Sequence, residues 1–299
     1  MTTAPDPSRK GAAAALGAFL IWGCFGLYFK ALSALPAAEV LAHRILGGAV
    51  FAFLALAATG QAAQVRTILR DRALLRPLMG SAVAIAVNWG VYIWAVANGR
   101  ALDASMGYFI FPLVSVLLAR IFLGETLSRR QWLAVAVVAA GVGWMVVRGP
   151  GLPWVALVLG VSFGAYGLLR KTVPVQALAG LFVEALVLAP PAALYLLQAG
   201  GGAAPSADGV TIGLLAVAGP VTAIPLALFA YGARRLRLST LGLMMYVNPT
   251  VQMLVAVVVL RERFTSAYGV AFAAIWGGLV LYSWPAGLRY PVAPRAPRA

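Results

Sequence analysis

Acidic groups are scarce in this chain, and so are the residues that build redox, metal and hydrolytic sites. Its 299 residues hold 8 Asp+Glu, one His and one Cys. A lone cysteine, Cys24, excludes an intrachain disulfide and with it the small secreted scaffold. HExxH, CxxC and Walker A runs are all missing. Metal sites lack ligands, no cofactor is expected, and an ATP-driven pump is excluded unless a partner supplies the motor. Charged residues are 10% of the chain, against about 25% in an ordinary soluble domain. Long hydrophilic stretches are absent too, which excludes a soluble enzyme and a disordered protein.

What is present is apolar. Hydrophobic residues are 62% of the chain and the mean hydropathy is +0.91. Ten uncharged or nearly uncharged runs can be marked at 11–29, 36–59, 77–98, 104–123, 131–147, 152–169, 176–198, 209–232, 238–260 and 267–285. A membrane helix needs about 20 such residues, so ten spans leave no room for a sizeable soluble domain. The first run has no small-residue cleavage site and reads as an uncleaved span. Residues 286–299, rich in Pro, Arg and Ala, read as a disordered cytoplasmic tail.

The net charge is +15, but the basic residues occur in twos and threes between apolar runs. That is the pattern of membrane-flanking anchors, not of a nucleic-acid face. With the N-terminus placed in the cytoplasm, 17 of the 23 Lys+Arg fall inside and five outside, and Arg44 lies within a span. The split predicts ten transmembrane helices with N and C termini cytoplasmic.

The chain is also self-similar. Phe25, Gly26 and Tyr28 match Phe163, Gly164 and Tyr166 at a shift of 138, and Pro112 with Glu125 matches Pro249 with Glu262 at a shift of 137. Each half would hold five spans, 11–147 and 152–285. Five is odd, so the second half enters from the opposite side. Inverted repeats of this kind let secondary transporters alternate about a midplane site.

Six stretches carry a resemblance to a known family: WGCFGLYFKAL (22–32), PAAEVLAHR (36–44), NWGVYIWAVANGR (88–100), LDASMGYFIFPL (102–113), FLGETLSRRQWLAV (122–135) and RRLRLSTLGLMMYVNPT (234–250). Together they resemble the RarD-type permeases of the EamA family, in the drug/metabolite transporter superfamily, from about Lys10 to about Ser283. One departure is Phe111, where relatives are expected to carry Asn before the proline. The resemblance implies an all-α membrane protein, ten helices in two inverted five-helix repeats, that moves small organic solutes.

Ionisable groups within spans usually face a cavity or a partner. Span 2 carries Glu39, His43 and Arg44. Glu39 and His43 share a face, and His43 lies about 10 Å along the helix. The three form either a gate or proton-responsive cluster, or a self-neutralising Glu39–Arg44 network that orients the span. Glu184 lies about 12 Å into span 7, either as a coupling carboxyl or as a protonated group hydrogen-bonded to a neighbouring helix. Ser105, Tyr108, Pro112 and Ser115 fall on one face of span 4. Asn88 and Tyr92 give span 3 a similar face. Asn248 and Gln252 flank Pro249, while Pro220 and Pro225 interrupt span 8. A proline frees a backbone carbonyl, which a bilayer tolerates only beside protein, water or ligand. These groups predict a substrate cavity among spans 3, 4, 8 and 9, with Trp22, Phe25, Phe29, Trp89 and Tyr166 as aromatic walls. Interface anchoring is the competing role for aromatics, and Trp132, Trp144, Trp154 and Trp284 fit it better.

Gly160-Val161-Ser162-Phe163-Gly164 matches the GxSxG nucleophile elbow, but inside an apolar helix with no base nearby it reads as close helix packing. An intramembrane enzyme would need a paired nucleophile and base, and none is found. Spans 5 and 10, free of ionisable residues, read as lipid-facing helices or as the faces of a homodimer. The partners expected are the lipid bilayer and a small-molecule solute, with no nucleic acid. The reading is a secondary transporter of the bacterial inner membrane, an exporter of small amphipathic metabolites or drug-like solutes by alternating access. A non-transporting scaffold or accessory subunit is the alternative.

Overall fold

Leu, Ala, Val and Ile fill nearly every run between the basic clusters, and without exposed water the backbone of such a run must satisfy itself as helix. In the computed structural model all regular structure among the described residues is helical. Those residues are 7–60, 62–124, 126–148, 152–199, 202, 208–233, 235–236, 241 and 244–283. The 286–299 tail, Glu125 and Trp284 lie outside them.

The helices in order are α1 (Pro7–Gly23), α2 (Phe25–Ala31), α3 (Ala37–Thr59), α4 (Ala62–Arg70), α5 (Arg72–Ala97), α6 (Ala101–Leu123) and α7 (Arg129–Arg148). Then come α8 (Trp154–Lys171), α9 (Ala177–Gln198), α10 (Gly209–Ala216), α11 (Ala218–Ala233), α12 (Val247–Leu254) with a π-helical turn over Val255–Val259, and α13 (Ser266–Ser283). Among the described residues eight helical stretches are long and apolar enough to cross a membrane, and two shorter apolar helices, Val247–Val259 and Ser266–Tyr282, follow. This is an all-α membrane protein.

Local chemistry sets several boundaries. Asp71 accepts from the Ala73 N–H at 2.8 Å, so α5 starts five residues before Pro77, where the third apolar run begins. Asp208 accepts from the Thr211 N–H in the same way ahead of α10. The Arg-rich connection after span 2 is itself a helix. In α4, Val65 and Ile68 face inward and join Leu56, Leu78, Val173, Ala179 and Val183 in one apolar cluster. The first span bends at Cys24 and the eighth at Val217.

The chain divides into two units, Met1–Glu125 with Pro153–Phe264, and Thr126–Leu152 with Thr265–Ala299. In the first unit α6 and α5 pack on α8, α3 packs on α9, and α1 packs on α11 and α12. Small residues bring backbones close. A Cβ on Gly107 would stand 2.8 Å from the Ala156 carbonyl oxygen, and one on Gly219 would stand 2.6 Å from the Gly47 carbonyl oxygen. In the second unit α7 and α13 pack together through Gly141 against Ala274 and Gly278 against Val138. Their Trp132, Trp144, Val147, Trp276 and Val280 are exposed, as are Val50, Phe53 and Leu54 of α3. Such faces are unremarkable against lipid.

Candidate functional site

Asn88, on the α5 face that also carries Ser81 and Tyr92, is 1% exposed and fully engaged. Its Nδ2 donates to the Leu159 carbonyl at 3.0 Å and to Ser162 Oγ at 3.1 Å, and its Oδ1 accepts from Tyr108 at 2.8 Å. The polar faces of α5 and α6 therefore meet on α8. Tyr108 packs on Tyr92 and Phe163, and Phe111 and Tyr166 pack on the same Phe163. Ser115 Oγ lies beside Gly164. Ser105, also fully buried, donates its hydroxyl to the Leu102 carbonyl of its own helix at 2.8 Å. Pro112 sits half-buried within α6, one turn beyond Tyr108.

From span 1, Phe29 packs edge-on against Tyr92 at 5.8 Å. Trp22 packs with Phe19 and Phe229 beside Met244 and Met245. On α12, Pro249 is buried and Gln252 donates to Asn248 at 3.0 Å. Gln252 is 6% exposed and its Oε1 has no partner.

Arg44 makes contacts other than the self-neutralising network that was one of its two expected roles. Its Nε donates to Thr222 Oγ1 of α11 at 3.2 Å. Its guanidinium lies 4.1 Å from the Trp89 ring centre, 5.3 Å from Phe29 and 5.4 Å from Phe25. No Glu39–Arg44 pair forms, since five residues along a helix point in different directions. Glu39 is buried and lies against Gly202, whose positive φ leaves room only for a missing side chain. His43 Nε2 is enclosed without a partner.

Glu184 is 1% exposed and ties three helices together. Its Oε1 accepts from Ser81 of α5 at 2.6 Å and faces Arg170 Nη1 of α8 at 3.6 Å, while Oε2 accepts from Tyr166 at 3.5 Å. Sequence reasoning had Arg170 only as an end anchor. The signals that could have found this network are Ser81, seven residues and one face before Asn88, and Gly180, where any Cβ would fall on Arg170 Nη1.

A second carboxylate was missed as a cap. Glu262 follows Arg261, a non-glycine residue at φ 58°. That strained turn aims the Glu262 side chain at the start of α6, where it accepts from the Ala101 N–H at 2.7 Å and the Leu102 N–H at 2.8 Å. Two orphan donors and the positive end of the helix are satisfied at once. Burial holds the Glu262 carboxyl above the usual carboxylate range, against the pull of those two donors. Beside them Asp103 pairs with Arg100 at 2.7 Å. Among the described residues no group of three His, Cys, Asp or Glu could hold a metal ion.

Known proteins resemble the chain over most of its length. Residues 9–147 match the EamA-like transporter family. A protein of Vibrio cholerae described as an uncharacterized transporter is 40% identical over 288 residues, covering 95% of each chain. Escherichia coli RarD is 39% identical, covering 92% of this chain and 94% of its own. A Pseudomonas aeruginosa protein described as chloramphenicol-sensitive protein RarD is 32% identical, covering 93% and 94%. One crystal structure superposes with a TM-score of 0.57 at 21% identity, covering 91% of this chain and 95% of that one, a likeness of fold. The chain is thus a RarD-type member of the EamA-like transporter family, a multi-pass protein of the bacterial inner membrane.

Proposed function

We propose that this chain is a secondary transporter that exports small amphipathic metabolites or drug-like solutes by alternating access. The observation that carries the reading is the interior of the first unit. Side chains from both halves of the sequence, Arg44, Asn88, Tyr92 and Tyr108 from one and Ser162, Tyr166 and Thr222 from the other, make polar and aromatic contacts there.

The two halves, 11–147 and 152–285, act as inverted five-helix repeats with both termini cytoplasmic. Helix pairing supports this. The contact of α6 with α8 has its counterpart in α12 with α1, and that of α5 with α8 in α11 with α1. Glycines serve both members of the first set, Gly107 on Ala156 and Gly23 on Val251. Two latches would work in turn. On the cytoplasmic side, Glu184 and Arg170 hold α5, α8 and α9 together. On the outer side, Glu262 holds the start of α6. Glu184 is the coupling residue, since its protonation would release Arg170.

Flux in proteoliposomes tests the reading. A panel of amino acids, purines, sugars and cationic or aromatic drugs is loaded with and without a pH gradient, and Glu184→Gln is run in parallel. Saturable flux of one class is expected, with its gradient dependence lost in the variant. Folded protein with no flux for any compound would favour the scaffold or accessory subunit. Unchanged pH dependence in Glu184→Gln would remove the coupling role alone.

A further inference from the structure

A guanidinium inside a membrane protein is costly unless something neutralises it. Arg44 is 6% exposed, and no carboxylate among the described residues pairs with it. The titratable side chains around it are Tyr108, Tyr28 and Tyr92, all neutral phenols at ordinary pH. Aromatic rings surround the guanidinium, Trp89 closest at 4.1 Å. Its Nε is committed to Thr222, whose own hydroxyl proton goes to the Ala218 carbonyl at 2.9 Å. Nη1 and Nη2 remain. Among the described residues neither makes a hydrogen bond, and the side chain keeps 6% of its surface exposed.

We propose that Arg44 is the anion-binding residue of the solute site, and that its solutes are monocarboxylates with a planar aromatic body. The inference rests on the transporter reading and names the solute class for it. Two parallel N–H donors on one edge match the two oxygens of a carboxylate. One positive charge with no other cation bonded nearby balances one negative charge. A doubly charged phosphate would leave an uncompensated charge in a low-dielectric interior. Phe25, Phe29 and Trp89 supply apolar, polarisable walls for a flat ring beside the carboxylate. Tyr92, packed edge-on against Phe29 at 5.8 Å, continues that wall.

The probes are benzoate and indole-3-acetate, each against its primary amide, together with benzylamine, chloride and inorganic phosphate. Binding to the purified full chain in lipid nanodiscs is read by tryptophan fluorescence and by the shift in melting midpoint. The carboxylates should bind at least ten-fold tighter than their amides. Arg44→Gln should weaken the carboxylates by about ten- to hundred-fold, the worth of a charge-assisted bond, and leave the amides within about two-fold. Arg44→Lys, which keeps the charge and loses the fork, should fall between.

Amides bound as tightly as acids would overturn the proposal. So would chloride or phosphate bound as tightly as benzoate, or carboxylate affinity unchanged in Arg44→Gln. If that variant does not fold, the probe series on the unaltered protein decides alone. Saturable flux of neutral or cationic solutes without any preference for carboxylates would sink this inference and leave the transporter reading standing. Absence of all flux would sink the transporter reading itself.

Discussion

Asn88 holds three partners on two neighbouring helices, whereas Ser105, equally buried, holds one on its own helix. The difference makes a paired prediction. Asn88→Ala strands the Tyr108 hydroxyl and should cost about 1–3 kcal/mol, while Ser105→Ala should stay within about 0.5 kcal/mol. Chemical or thermal unfolding in detergent measures both. Asn88, Tyr92 and Tyr108 were legible in the sequence because a polar residue in an apolar span announces itself. Ser105 looked the same, but a serine can turn back on its own helix, and a side-chain list does not reveal which way it turns. The Glu39–Arg44 pairing, one of two roles open for Arg44, fails for a related reason. The acidic residue nearest to Arg44 in sequence is Glu39, yet its real contacts come from α2, α5 and α11, about 15 to 178 positions away.

Elements were more legible than their contacts. Runs of apolar residues marked every long helix to within a few residues, because a bilayer span has to be apolar along its length. The amphipathic α4 escaped, since its inward Val65 and Ile68 are separated by Arg66 and Thr67 in a segment too short to read as a span. Close approach of α6 and α8 depends on Gly107, where a Cβ would meet a backbone carbonyl. Gly107→Ala should therefore destabilise by about 1–3 kcal/mol. Gly48→Ala, on an open stretch of α3 with nothing within 4 Å, should stabilise by up to about 1 kcal/mol.

The cap on α6 gives a pH prediction. The folded carboxyl of Glu262 titrates above its unfolded value, with Asp103 raising it and Lys30 lowering it. Its contribution to stability is then fully present below the unfolded value and is lost as pH rises through the folded one. The stability of the unaltered protein relative to Glu262→Gln should rise as pH falls from neutral towards about 4. A flat difference across that range would count against the burial that sets the shift.

At the scale of the whole molecule, the repeat in the sequence and the correspondence of helix pairs point the same way. Phe25-Gly26 with Phe163-Gly164, and Pro112 with Pro249, sit at matching places in the two halves. What the sequence could not convey is which faces meet. The polar groups of α5 and α6 close on α8, while Asn248 and Gln252 close on each other. Under the proposed alternating access, the two repeats would exchange such unequal contacts between states.

Two-sided labelling tests alternating access most directly. In a Cys24→Ser background, Ser162→Cys places a reporter beside Asn88, and an impermeant maleimide is applied to oriented proteoliposomes from either side. Glu184→Ala, which breaks the proposed cytoplasmic latch, should raise labelling from inside and lower it from outside. Glu262→Ala, which breaks the outer latch, should do the reverse. Both variants changing labelling in the same sense on both sides would contradict alternating access.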